Sequence, residues 1–157
     1  MMKFRGGFTL AALLALSMTT ATAADGDSAP VATVAWARAT PPGADAAAVY
    51  LTLTGGKAAD RLTAARTARA AMVHLHVVEE SGGLTKMRPL DGVDIPAGRI
   101  IVLAPQGTHL MLMGFDKPFV AGERFALTLH FARAGDRMVD VLVRPATAAD
   151  PSPSESH

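Results

Sequence analysis

The chain has 157 residues, half of them hydrophobic, with 15 basic and 14 acidic side chains and no cysteine. A balance this near neutral, without a basic block, excludes a binder of nucleic-acid backbone. The lack of thiols excludes a disulfide-stapled scaffold and any thiolate metal site.

In chain order, residues 1–23 read as an export signal peptide. Lys3 and Arg5 precede the apolar run "FTLAALLALSM", and "ATA" at 21–23 supplies a small-residue cleavage pattern. The run is too short to span a bilayer comfortably, so no membrane span is expected after cleavage. The remaining 134 residues, beginning at Ala24, suit one domain and carry 13 basic against 14 acidic side chains once Lys3 and Arg5 are gone. Residues 24–30, "ADGDSAP", read as a linker. Short segments of β character follow at 31–38, 47–54, 72–79, 84–90, 99–104, 108–113, 124–132 and 137–144. Between them stand "PPG", "GG", "SGG", "PAG", "PQG", "AG" and "AGD", all turn-forming. The alanine-rich stretch 58–71 reads as a strand around Leu62 to Ala65 followed by a loop. Short strands at this spacing predict an all-β fold, an antiparallel sandwich or barrel over residues 31–145. The proline- and serine-rich end, residues 146–157, reads as a disordered tail.

Beyond the leader the chain has five methionines (72, 87, 111, 113, 138) and five histidines (74, 76, 109, 130, 157). In a strand alternate residues share a face. Met72, His74 and His76 therefore share one face, and His109, Met111 and Met113 share another, with Leu110 and Leu112 turned the opposite way into the core. Met113 reads as a thioether packed beside His109 and Met111. Imidazole with thioether is a soft donor set that favours Cu(I) over Zn(II), Mg(II) or Ca(II). A single methionine is more often core filler; joint occurrence at matching parity distinguishes this group. Met138 reads as packing, and His130, between Leu129 and Phe131, as outward-facing.

The spacing then becomes specific. His76 is followed by ten residues and Met87, then by 21 residues and "HLM", His109 to Met111. This pattern resembles that of the PCu(A)C family of periplasmic copper chaperones. So do "WARATPPGADAAAVYLTLT", "KMRPL", "PQGTHLMLMG" and "LTLHFARAGD". The resemblance implies a cupredoxin-like antiparallel β-sandwich of Greek-key type, located in the periplasm. It implies one Cu(I) per chain, held through His76, Met87, His109 and Met111. His74 stands where the family commonly has an acidic residue and is a candidate extra ligand.

The resemblance further implies a monomeric carrier that hands copper to a receiving protein. Such a partner is cytochrome c oxidase subunit II, for assembly of its dinuclear copper site, or a thiol-disulfide copper protein. A copper-scavenging or copper-tolerance protein is the main alternative, and a metal-free structural sandwich a more distant one. Nothing in the sequence suggests turnover: there is no paired carboxylate, no nucleophile beside a base and no open zinc triad.

Overall fold

The computed structural model describes residues 29–148. The signal peptide, most of the linker and most of the expected tail lie outside the described residues. Ala29 and Pro30, the last two residues assigned to the linker, are buried against the domain.

Ten strands and no helix make up the described chain. They are β1 (Val31–Arg38), β2 (Ala46–Thr54), β3 (Asp60–Arg66), β4 (Met72–Ser81), β5 (Leu84–Pro89), β6 (Val93–Ile95), β7 (Ile100–Leu103), β8 (Thr108–Met113), β9 (Arg124–Phe131) and β10 (Gly135–Arg144). Hydrogen bonding links them in the order β5-β4-β8-β2-β1-β10-β9-β3-β6, with β7 beside the far half of β2. The sequence reading missed β6, because "VDI" is too short to show alternation. The expected antiparallel β fold is present, with one exception among its pairings: β1 and β10 run in parallel, Trp36 beside Leu142 and Arg38 beside Arg144. Strands from opposite ends of the chain meet there, and local patterning does not encode their relative direction.

The ladder closes over a single core drawn from both of its halves. Leu51, Leu53, Leu75, Leu110 and Leu112 come from the β4-β8-β2 side, and Leu62, Leu127, Leu129, Phe131, Val141 and Val143 from the β3-β9-β10 side. The alternation in "THLMLM" thus resolves as expected, with Leu110 and Leu112 fully buried. Each such leucine contributes about 1.5–3 kcal/mol of burial. This fixes the register of β8, since a one-residue slip would put both leucines in water.

Candidate metal centre

The core leucines decide where the polar donors go. With Leu75 on β4 and Leu110 and Leu112 on β8 inward, the intervening His74, His76, His109 and Met111 stand on the opposite face. β4 and β8 are antiparallel neighbours, and their register sets His76 directly across from His109 and His74 directly across from Met111. Met87 arrives on β5 through a two-residue hairpin. Gly82 and Gly83, with φ of 60° and 76°, occupy the two positions where a tight hairpin turn needs positive φ. The pairing Val78↔Met87 and His76↔Pro89 sets Met87 on the face of His76, one diagonal step away. Such diagonal neighbours lie about 7–8 Å apart, within reach of a long side chain. An Arg88–Glu79 ion pair, with Nε donating to Oε2 at 3.1 Å, ties β5 to β4 beside it. All four residues singled out by spacing therefore stand on one continuous face of three adjacent strands.

The two imidazoles are prepared differently. His109 is 5 % exposed, with Tyr50 of β2 at 6.2 Å between ring centroids. Its Nδ1–H donates to the Gly107 carbonyl at 3.1 Å, which leaves Nε2 as the lone-pair nitrogen. The His76 ring lies 6.2 Å from that of His109 and 6.1 Å from that of His74. Its Nδ1 is buried and has no hydrogen-bond partner. A buried lone pair without a donor is costly unless something occupies it, and a cation would. Burial first, then the neighbouring imidazoles of His109 and His74, hold the His76 pKa below its ordinary value. The ring is thus biased toward the neutral form that binds metal.

Met87 is half exposed, Met111 partly buried and His74 exposed. The donors form an open face. The shallow depression of about 400 Å³ between Arg66, Arg69, Ala126 and Thr128 lies on the other half of the ladder and offers no soft donor. Among the described residues no three His, Cys, Asp or Glu side chains gather as a metal cage. Two facing imidazoles completed by thioethers are the donor set that this face offers.

His130 does face outward, its Nδ1 2.6 Å from Asp136 Oδ1. Met138 does not pack: it is 76 % exposed, because Val139 and Val141 take the inward parity of β10. Sequence reasoning overlooked Tyr50, whose place beside His109 follows from the β2–β8 register. It also overlooked the tilted contact of Trp36 with Tyr50, 4.6 Å between ring centroids, with the guanidinium of Arg38 5.9 Å from each ring. The alternation in "AAVYLTLT" was the available signal.

The fold and this face define a class: a cupredoxin-like β domain with a surface-facing soft-donor set and no thiolate. Comparison with known proteins agrees. Residues 31–143 match the family model described as "Putative lipoprotein LpqE-like". A protein of Leifsonia xyli subsp. xyli named "Putative lipoprotein Lxx21020" is 33 % identical over 116 residues, 74 % of this chain and 70 % of that one. The solution structure of CuI-DR1885 from Deinococcus radiodurans is 31 % identical, covers 71 % of this chain and 75 % of that one, and superposes with a TM-score of 0.58. The copper-bound PCuAC domain from PmoF2, at 24 % identity and a TM-score of 0.63 over 74 % of this chain and 92 % of that one, shares the fold. The chain belongs to the PCu(A)C family.

Proposed function

We propose that the protein is an exported copper chaperone that binds one Cu(I) on this face through His76, Met87, His109 and Met111. The observation that carries the reading is the β4–β8 register: it brings two histidines 33 residues apart face to face, one with a carbonyl-fixed tautomer and one with an orphaned buried nitrogen. The Cu(I) form of the 31 % identical Deinococcus protein and the lipoprotein name of the Leifsonia relative support the metal and the export.

The chemistry suits a carrier. Neutral imidazoles and thioethers leave the single charge of Cu(I) uncompensated, so a partner offering charged thiolates takes the ion by ligand exchange. The open face lets an incoming ligand bind before the last donor here departs. In this reading the protein works in the periplasm as a monomer and gives its ion to cytochrome c oxidase subunit II or to a thiol-disulfide copper protein. Storage for copper tolerance is the second reading, favoured by the same donors. A deletion strain separates them by losing oxidase assembly or by losing copper resistance. The direct test is mass spectrometry of the exported chain titrated with Cu(I) and, separately, with Zn(II). A thermal melt that moved with Zn(II) and not with Cu(I) would overturn the copper reading.

A further inference from the structure

The β4–β8 ladder holds more soft donors than one site uses. Three successive rungs on the donor face are His76–His109, His74–Met111 and Met72–Met113. The proposed site takes the first rung, Met111 from the second, and Met87. Met72 and Met113, one rung further along, and His74 on the middle rung remain. Side chains directly opposite in an antiparallel pair have Cβ atoms about 4.5–5.5 Å apart, so the two thioethers of Met72 and Met113 flank one point. His74 stands two residues from Met72, about 6.5–7 Å along the strand.

These donors are accessible and are not needed by the core. Met72 is 50 % exposed, His74 exposed and Met113 only partly buried. The neighbours that β2 supplies to Met113 and Met111 are Ala46 and Ala48, too small to cover a thioether. One rung away, Tyr50 stands beside His109. The outer rung is also the rim of the sheet: Met72 opens β4, Met113 closes β8, and the Ala71 N–H donates to Gly114 O at 3.0 Å just beyond.

We propose that Met72, Met113 and His74 form a second, weaker Cu(I) station at this rim, where the ion arrives or leaves, one rung from the first site. The middle rung is divided between them, Met111 to the inner site and His74 to the outer. The inference rests on the Cu(I) reading of the inner site. Two unit charges about 7 Å apart repel, weakening the second ion by roughly three- to fiftyfold between aqueous and protein-surface dielectric. The inner site has four donors, two of them imidazoles, against three with one imidazole at the rim, so at low loading the inner site fills first and the outer one stays available for exchange.

The test is an anaerobic titration of the exported chain with Cu(I) against a competing chelator, read by native mass spectrometry and by NMR of methyl-labelled methionine. Two ions should bind, the second at least about threefold more weakly. The Met87 and Met111 methyls should move with the first equivalent, and those of Met72 and Met113 with the second. The double variant Met72→Leu, Met113→Leu should lose the second ion and keep the first within about threefold. Uptake of a single ion with unmoved Met72 and Met113 methyls would overturn the outer station, as would a second ion indifferent to the double variant. A His76→Ala, His109→Ala chain should retain one rim-bound ion. If that ion persists while the wild type shows no inner binding, the inner reading fails and the outer one stands; wild-type protein that binds no Cu(I) defeats both.

Discussion

A methionine that binds metal and a methionine that fills space differ in what leucine can replace. Leucine keeps the volume and the apolarity, so Met111→Leu and Met87→Leu should change the stability of the metal-free protein by less than about 1.5 kcal/mol. Each should nevertheless lower Cu(I) affinity sharply, because the donor is gone, whereas Met138→Leu should leave the inner site untouched. Chelator competition with each variant checks this, and wild-type affinity in both of the first two would make them filler. His74→Ala should cost less at the inner site than His76→Ala, whose imidazole faces His109 directly. His76 also sets a pH response. Since burial and two imidazole neighbours lower the His76 pKa, the unfolded chain takes up this proton first as pH drops. Its contribution to metal-free stability is thus complete above about pH 6.5. It disappears as pH falls through the lower folded value. Cu(I) affinity should be nearly flat above pH 7.5 and fall by up to about one decade per pH unit well below 6, as His76 takes up its proton. A slope persisting through pH 8 to 9 would point to another titrating ligand.

Among the elements, β8 depends on a clean stop. Gly114 has φ of 70°, and a Cβ built there would stand 2.8 Å from the Ala71 Cβ. Gly114→Ala should therefore destabilise by about 1–3 kcal/mol through left-handed strain and contact together. It should also disturb the Met72–Met113 rung before the His76–His109 rung, measurable as loss of the second Cu(I) equivalent. On the other half of the ladder, Asp136 accepts from Arg66 at 2.7 Å and lies 2.6 Å from the His130 ring nitrogen, tying β10 to β3 across β9. The Arg66 hydrogen bond first, then His130, lowers the Asp136 pKa from 3.8 to about 2. The folded carboxylate thus holds its charge below the unfolded value. The advantage of the wild type over Asp136→Asn should be complete above about pH 4 and vanish as pH falls through 2. Denaturant melts of both proteins at pH 6, 3 and 2 measure it; an advantage as large at pH 2 as at pH 6 would mean that the charge is not its source.

For the molecule as a whole, the core and the donor face are two sides of the same strands. Leu112→Ala, at a fully buried position, should cost about 2–5 kcal/mol. The surviving folded fraction should still bind Cu(I), because Leu112 points away from the donors. Binding in turn stabilises the fold: at a hundredfold excess over the dissociation constant, Cu(I) should add about 2.7 kcal/mol. A calorimetric melt that did not shift under those conditions would mean that the ion does not distinguish folded from unfolded chain.

Much of this was written in the sequence. Residues 31–38 and 108–113 were placed to the residue as β1 and β8, and seven further strands to within a few residues, because apolar alternation and turn glycines are local signals. The shared parity of His109, Met111 and Met113 was equally local, since it needs only the period of a strand. Three matters were not local. The parallel β1–β10 pair joins segments about a hundred residues apart, whose direction no short window encodes. The three-residue β6 gains its identity only from pairing with β3. The opposition of His76 to His109 and of Met72 to Met113 depends on the register of β4 against β8, which burial of Leu75, Leu110 and Leu112 in one core decides. Residue types and their alternation name the donors; the shared core, formed only when distant strands meet, decides which of them face one another.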